Sequence, residues 1–280
     1  MLRGVKSLKG DAIHATDGLI GKVDEVLFDD AHWTVRYVVV DTGGWLLGRK
    51  VLIAPSALGA LDWDNHVLNV NITRSQVEHS PDVAANPPVS RQWESEYHDY
   101  YGWPYYWSGI GMSSSMPYPG VVFANLSGGS MVFGQPEHPD DKELDAVRDR
   151  RDVHLRSSRE ITGYAIVASD GNLGHVTDFI VDDQTWKICY IAVDTADWWQ
   201  GKIVLLPPNW IAQAIFPDRT VMVGVTRDQV RNGPEWEPNQ PITREFQREL
   251  EAYYADRRDS AASNSAVAMA ALVDHEAHSR

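Results

Sequence analysis

Asp17-Gly18-Leu19-Ile20-Gly21 returns 153 positions later, counting from 17 to 170, as Asp170-Gly171-Asn172-Leu173-Gly174. The same offset runs on in both directions without a gap. Leu2-Arg3 pairs with Leu155-Arg156, Asp29-Asp30 with Asp182-Asp183, Trp33 with Trp186, and Val40-Asp41-Thr42 with Val193-Asp194-Thr195. Further along, Thr73-Arg74-Ser75-Gln76-Val77 matches Thr226-Arg227-Asp228-Gln229-Val230, and Tyr100-Tyr101 matches Tyr253-Tyr254. Residues 2–101 therefore align with 155–254, with about a third of the positions identical. A repeat of that length is a tandem duplication, and it governs every later assignment. Each copy carries nine basic and fourteen acidic residues, so neither is a polar appendage of the other.

Within a copy the signals are those of short strands. Asp17-Gly18 and Asp170-Gly171 predict type I′ hairpin turns, which need positive φ at both central positions, so a strand near 11–15 should pair with one near 19–28. Asp29-Asp30 and Asp182-Asp183 predict a second turn before the β-branched and aromatic runs Trp33–Thr42 and Trp186–Thr195. The near-continuous apolar character of those runs predicts burial on both faces. Gly43-Gly44 turns the chain into Lys50–Ile53, equivalent to Ile203–Leu206, and Pro55 or Pro208 ends that strand by removing a ladder donor. A last hairpin is expected over 59–72 around Asp64-Asn65. Five or six such strands favour a mainly β fold of two small closed barrels, since closure removes exposed edges.

Helical signals follow each barrel. Thr73-x-x-Gln76 and Thr226-x-x-Gln229 are capping-box patterns, in which hydroxyl and amide side chains satisfy the first orphan N–H groups reciprocally. Beyond Pro88 and Pro241, Ser90 and Thr243 are placed to cap a second helix of about ten residues, with Trp93 and Tyr97 or Phe246 and Leu250 four apart on one face. Each helix is expected to pack on its barrel. Residues 102–154 turn rich in Gly, Ser, Pro and aromatics without a period, which reads as a flexible, sticky linker with a short helix near 141–151. The resulting division is 1–101, a linker over 102–154, 155–254, and a disordered or weakly helical tail over 255–280.

Composition narrows the function. The 280 residues carry 25 Lys and Arg against 39 Asp and Glu, a net charge of −14, the wrong sign for wrapping a phosphate backbone. Nucleic acid is therefore not an expected partner. The single cysteine, Cys189, excludes an internal disulfide, a Cys-x-x-Cys redox motif and a four-cysteine zinc site. The sequence has no apolar run long enough to span a bilayer, and its opening residues lack a secretory leader's apolar stretch, so a cytoplasmic location is expected.

Candidate sites are few, and each has a structural alternative. Asp29, Asp30, Asp182 and Asp183 offer oxygen ligands for a weak hard-cation site, or are simply turn formers. Asp-Gly-x-x-Gly is without the Lys-Ser/Thr of a phosphate-binding loop. Asp41 and Asp194 end apolar strands where a general acid or base could sit, or where a carboxylate accepts bonds from the following turn. Cys189 falls within a central strand, as a buried thiol more than a nucleophile. The histidines show no zinc spacing; His275 and His278 alone are close, in the tail. Trp45, Trp198 and Trp199 follow the long strand in a turn, where they either anchor a partner or cover the barrel end. The aromatic run Tyr97–Trp107 carries the same two readings. No cofactor and no catalytic residue are assigned.

The residues that both copies share resemble the PRC-barrel domain family, which includes the cytoplasmic barrel of the photosynthetic reaction-centre H subunit and the carboxyl-terminal domain of the ribosome maturation factor RimM. The resemblance is carried by Gly10-Asp11-Ala12-Ile13, Asp17-Gly18-x-x-Gly21-Lys22-Val23, Phe28-Asp29-Asp30 and Val40-Asp41-Thr42. They recur as Gly163-Tyr164-Ala165-Ile166, Asp170-Gly171-x-x-Gly174-His175-Val176, Val181-Asp182-Asp183 and Val193-Asp194-Thr195. It implies a docking module and not an enzyme: a non-catalytic adaptor that assembles onto a protein complex, with peripheral association with a membrane complex as one setting. The duplication itself, by analogy with homodimers, predicts pseudo-twofold pairing of the two barrels. The alternative is a sensor of a small molecule, a metal or stress, binding at or between the barrels.

Overall fold

The computed structural model describes residues 1–62, 65–81, 91–107, 154–195, 201–238 and 240–255. The first repeat runs β1 (Leu2–Gly4), α1 (Val5–Leu8), β2 (Ala12–Ala15), β3 (Gly18–Asp29), β4 (Thr34–Asp41), β5 (Lys50–Ile53), β6 (Leu58–Asp62), β7 (Val67–Val70), α2 (Arg74–Glu78) and α3 (Arg91–Tyr101). The second runs β8 (Leu155–Ser157), α4 (Ser158–Ile161), β9 (Ala165–Ala168), β10 (Gly171–Asp182), β11 (Ile188–Asp194), β12 (Ile203–Leu206), β13 (Ile211–Ile215), β14 (Thr220–Val223), α5 (Arg227–Arg231) and α6 (Arg244–Ala255). The fold is mainly β and duplicated, as the sequence predicts. Both capping boxes form, with Thr73 and Thr226 each bonded to the Gln three residues on.

Each repeat makes one sheet, ordered β5-β4-β3-β2-β7-β6 and β12-β11-β10-β9-β14-β13. Among these pairs only β2 with β7 and β9 with β14 are parallel. Closure is where expectation and structure differ: β5 and β6 stand at opposite ends of their ladder, as do β12 and β13. Pro55 and Pro208 begin 3-10 turns between these strands, and a proline has no N–H to give a ladder. In the second repeat the open edge is covered instead. Glu235 bridges to Val204, the Trp236 amide donates to the Ile203 carbonyl at 2.9 Å, and the Tyr254 hydroxyl on α6 donates to the Leu205 carbonyl. That places α6 on its sheet, with the Tyr254 ring edge-on to Trp210 at 4.5 Å.

The hairpin turns also depart from expectation. Ala15 pairs directly with Gly18, so Thr16 and Asp17 are the central residues, and neither has positive φ. The turn is therefore not type I′. Gly18 and Gly171 instead open their strands at φ +142° and +137°, where a side chain is strained.

The repeats are not consecutive independent bodies, because they exchange their opening strands. Leu2, Arg3 and Gly4 of β1 pair with Asp182, Val181 and Ile180 of β10, while Leu155, Arg156 and Ser157 of β8 pair with Asp29, Phe28 and Leu27 of β3. The registers are identical after the 153-residue offset. Four further backbone bonds repeat the reciprocity: Val35 to Trp186 (2.9 Å) and Ile188 to Trp33 (2.7 Å), Asp30 to His154 (2.9 Å) and Asp183 to Met1 (3.0 Å). Thr34 and Lys187, which are each other's equivalents, bridge one another, so the pseudo-twofold axis passes between them. Phe28 and Phe179 meet at 5.0 Å in the shared core, each at most 1% exposed.

Two compact units result, one holding both sheets and α6, the other holding α3 and the residues after it. In the second unit, residues Trp103–Trp107 fold back on α3, where Tyr101 stacks on Trp103 at 4.3 Å and His98 is ringed by Trp103, Tyr105, Tyr106 and Trp107. The expected helix near 141–151, Ser90 and the tail beyond Ala255 lie outside the described residues.

At Gly174 a positive φ of +133° coincides with a close approach: any Cβ would collide with the Asp194 carbonyl oxygen. Gly174→Ala is therefore expected to cost at least about 2 kcal/mol, combining backbone strain and a forced shift of β11. Denaturant unfolding measures this, and a wild-type midpoint would refute the close approach.

Candidate functional site

The chemistry-bearing residues converge on the seam between the repeats. Asp29 and Asp182 end β3 and β10, and each folds its carboxylate back into its own turn. Asp29 Oδ1 accepts from the Ala31 and His32 amides at 2.8 and 3.1 Å, and Oδ2 meets Arg36 Nη2 and His32 Nδ1, both at 2.8 Å. Burial opposes its ionisation, yet Arg36, His32 and the Ala31 amide outweigh that and hold its pKa below the ordinary value. Asp182 behaves alike: burial is overcome by the Thr185 hydroxyl at 2.8 Å, the Gln184 amide and the Met1 ammonium.

The second member of each pair reaches across the seam. Asp30 Oδ2 accepts from Arg156 Nε at 2.7 Å and Oδ1 meets His154 Nδ1 at 2.9 Å. Asp183 Oδ1 accepts from the Met1 ammonium at 2.5 Å. So the four carboxylates offered by the sequence as a weak cation site face the chain's own cations and amides. Among the described residues, no group of three His, Cys, Asp or Glu is placed to hold a metal ion.

Other candidates are dispersed. Asp41 Oδ1 accepts from the Gly43 amide at 2.8 Å, the turn-capping arrangement. Cys189 is half-buried, and burial followed by the charge of Asp182 pushes its thiol pKa up, away from a reactive thiolate. Trp45 is half-buried with the Arg74 guanidinium 4.4 Å above its ring, while Leu47, two residues on, is 98% exposed at φ +55°. Trp198 and Trp199 lie outside the described residues.

Sequence reasoning passed over two groups. The first is a second pair of equivalent acids, Glu25 and Asp178, both buried, in the middle of β3 and β10. The readable signal was an acid at the same position of the long strand in both copies. The second is a cleft of about 740 Å³ where the Ala31–Trp33 turn of the first repeat meets the second. Trp33, Tyr190, Trp210 and Tyr254 give it aromatic walls, and His32 and Glu251 polar ones. Its residues come from four segments separated in sequence, which no local pattern reveals.

A family comparison decides what this framework is: the PRC-barrel domain model matches residues 3–77 and again 154–230. The chain belongs to the PRC-barrel family. Each match runs from one repeat's exchanged strand to its capping-box helix, so the swapped seam joins two PRC-barrel domains. No curated protein matches the chain.

The Asp30–Arg156 pair should be the strongest polar link of this seam, since both partners are largely buried and Arg156 also lies 3.5 Å over the Phe216 ring. A double-mutant cycle with Asp30→Ala and Arg156→Ala is expected to give a coupling of about 1–3 kcal/mol in unfolding free energy. A coupling near zero would mark the pair as a solvated surface contact.

Proposed function

We propose that this protein is a non-catalytic PRC-barrel adaptor that docks onto a protein complex and presents its two barrels as one rigid body. The observation that carries the reading is the β4–β5 loop of the first barrel. Leu47 stands almost fully in solvent on a left-handed backbone, next to Trp45, where nothing in the fold requires an apolar side chain. Strain and exposed apolar surface kept together at one loop suit a partner-facing contact. Among the described residues no helix is long and apolar enough to cross a membrane, which is compatible with docking from one side.

The second reading, a small-molecule sensor, draws on the aromatic cleft between the barrels. The two differ in the surface they need. Tagged protein is expected to retain a stoichiometric protein partner from its host, and Leu47→Asp to lose it while melting normally, since Leu47 supports no packing. If wild-type protein retains none and ligand-induced thermal shifts appear that Trp33→Ala removes, the sensor reading replaces the adaptor.

A further inference from the structure

The two buried acids Glu25 and Asp178 occupy equivalent positions, yet the chain treats them differently. Each points at the arm that the other repeat has sent across. Glu25 accepts from the Ser157 hydroxyl and has Arg159 Nη1 at 3.7 Å, so the arm it faces supplies both a donor and a charge. Asp178 faces Gly4 and α1 instead. Gly4 is the equivalent of Ser157, and it brings no hydroxyl; a Cβ there would run into Asp178 Oδ2, so the glycine makes room for the carboxylate. What holds Asp178 is backbone alone: its Oδ1 accepts from the Lys6 amide at 3.0 Å and the Phe179 amide at 2.8 Å. Among the described residues it has no ion-pair partner.

We propose that Asp178 is a pH-sensitive catch on the arm Leu2–Leu8: ionised, it lets the arm leave β10 more readily, and protonated, it holds the arm in place. Release would bare the Ile180–Asp182 edge to which β1 is paired. The charged side chains that share the cavities on either side of Asp178, of about 170 and 700 Å³, are Arg3, Lys6 and Lys9 on the arm, Asp24 and Glu25 on β3, and Arg159 on α4. Arg159 is engaged with Asp24 and Glu25, and Lys6 is exposed. On β11 the residue in register is Ala192. The cavities give a proton a way in.

Burial favours the protonated carboxyl, the two amide bonds favour the ionised one, and burial prevails. Burial raises the Asp178 pKa to about 6, against the opposing pull of the Lys6 and Phe179 amides and the Lys6 charge. A carboxyl whose folded pKa lies above its open-state value takes up a proton on closing. The penalty is absent below the open-state value of 3.8, grows as pH rises, and is complete above about 6. Over this range the Met1 ammonium stays charged: although burial disfavours it, Asp183 and Asp182 raise its pKa above 8.0.

Hydrogen exchange of the full chain at about pH 5 and pH 7, corrected for intrinsic rates, tests the catch. Amides of residues 2–9 are expected to open on the order of tenfold more often at the higher pH. Asp178→Asn should remove that difference, while Glu25→Gln should leave it. Should Asp178→Asn fail to fold, Asp178→Ser, whose hydroxyl can accept from the Lys6 amide and does not titrate, should remove it instead. Equal corrected protection at both pH values, or a difference that survives whichever of these variants folds, would overturn the proposal.

Discussion

A long strand with one bare flank is the constraint on which the rest of this structure depends. β3 and β10 are each twelve residues long, and their far ends have β4 or β11 on one side only. A buried strand cannot leave its amides and carbonyls unmade without a cost of about 1–3 kcal/mol per group. Val26, Leu27 and Phe28, like Ile180 and Val181, are at most 1% exposed, so water is not the missing partner. The missing partner is the other repeat's opening strand, and supplying it twice produces the pseudo-twofold. Once the arms have crossed, the turns after β3 and β10 must meet, and the Thr34–Lys187 bridge, the Phe28–Phe179 contact and the Asp30–Arg156 pair all follow from that geometry.

Duplication within one chain then frees the two halves to differ, as identical subunits cannot. Position 57 is Ala and its equivalent is Trp210, which receives Tyr254 from α6. Arg36, which neutralises Asp29, is replaced by Cys189, and there the Met1 ammonium and Thr185 serve Asp182 instead. Ser157 has become Gly4 beside an acid that stays buried. The first of these changes alters packing and the other two polar satisfaction on one side of the axis, and the backbone register is the same in both halves.

How much of this was legible depended on whether the cause was local. The capping boxes are decided within four residues, and Thr73 and Thr226 form them as read. Pro55 and Pro208 end their strands at the expected place because the missing N–H belongs to that residue. The hairpin was placed correctly but its type was not, because Asp-Gly marks a turn without saying which residues are central. Strand exchange was illegible in principle. Leu2-Arg3-Gly4 has the same alternation whichever β strand it joins, and only competition for the bare flanks of β3 and β10 decides the pairing. The acids Asp29, Asp30, Asp182 and Asp183 were found as a repeated pattern, but their cations Arg156 and Met1 are more than a hundred residues away.

The seam also constrains where a partner can bind. Its two bare strand flanks are filled by the arms, its half-buried acids Asp30, Asp182 and Asp183 meet the arms' own cations, and its core is filled by Phe28 and Phe179. A surface that has satisfied its hydrogen bonds and charges internally has little left to offer another molecule, because recognition needs groups whose pairing improves on contact. The unspent features are the Trp45–Leu47 loop, at the end of β4 opposite Thr34, and the aromatic cleft, which opens at the seam itself between the Ala31–Trp33 turn and α6. Leu47 has no internal reason to be apolar, whereas the seam's Phe28 and Phe179 fill a shared core. The division of labour is therefore built into the duplication, with one end of each sheet spent on holding the halves together and the other end left free to diverge.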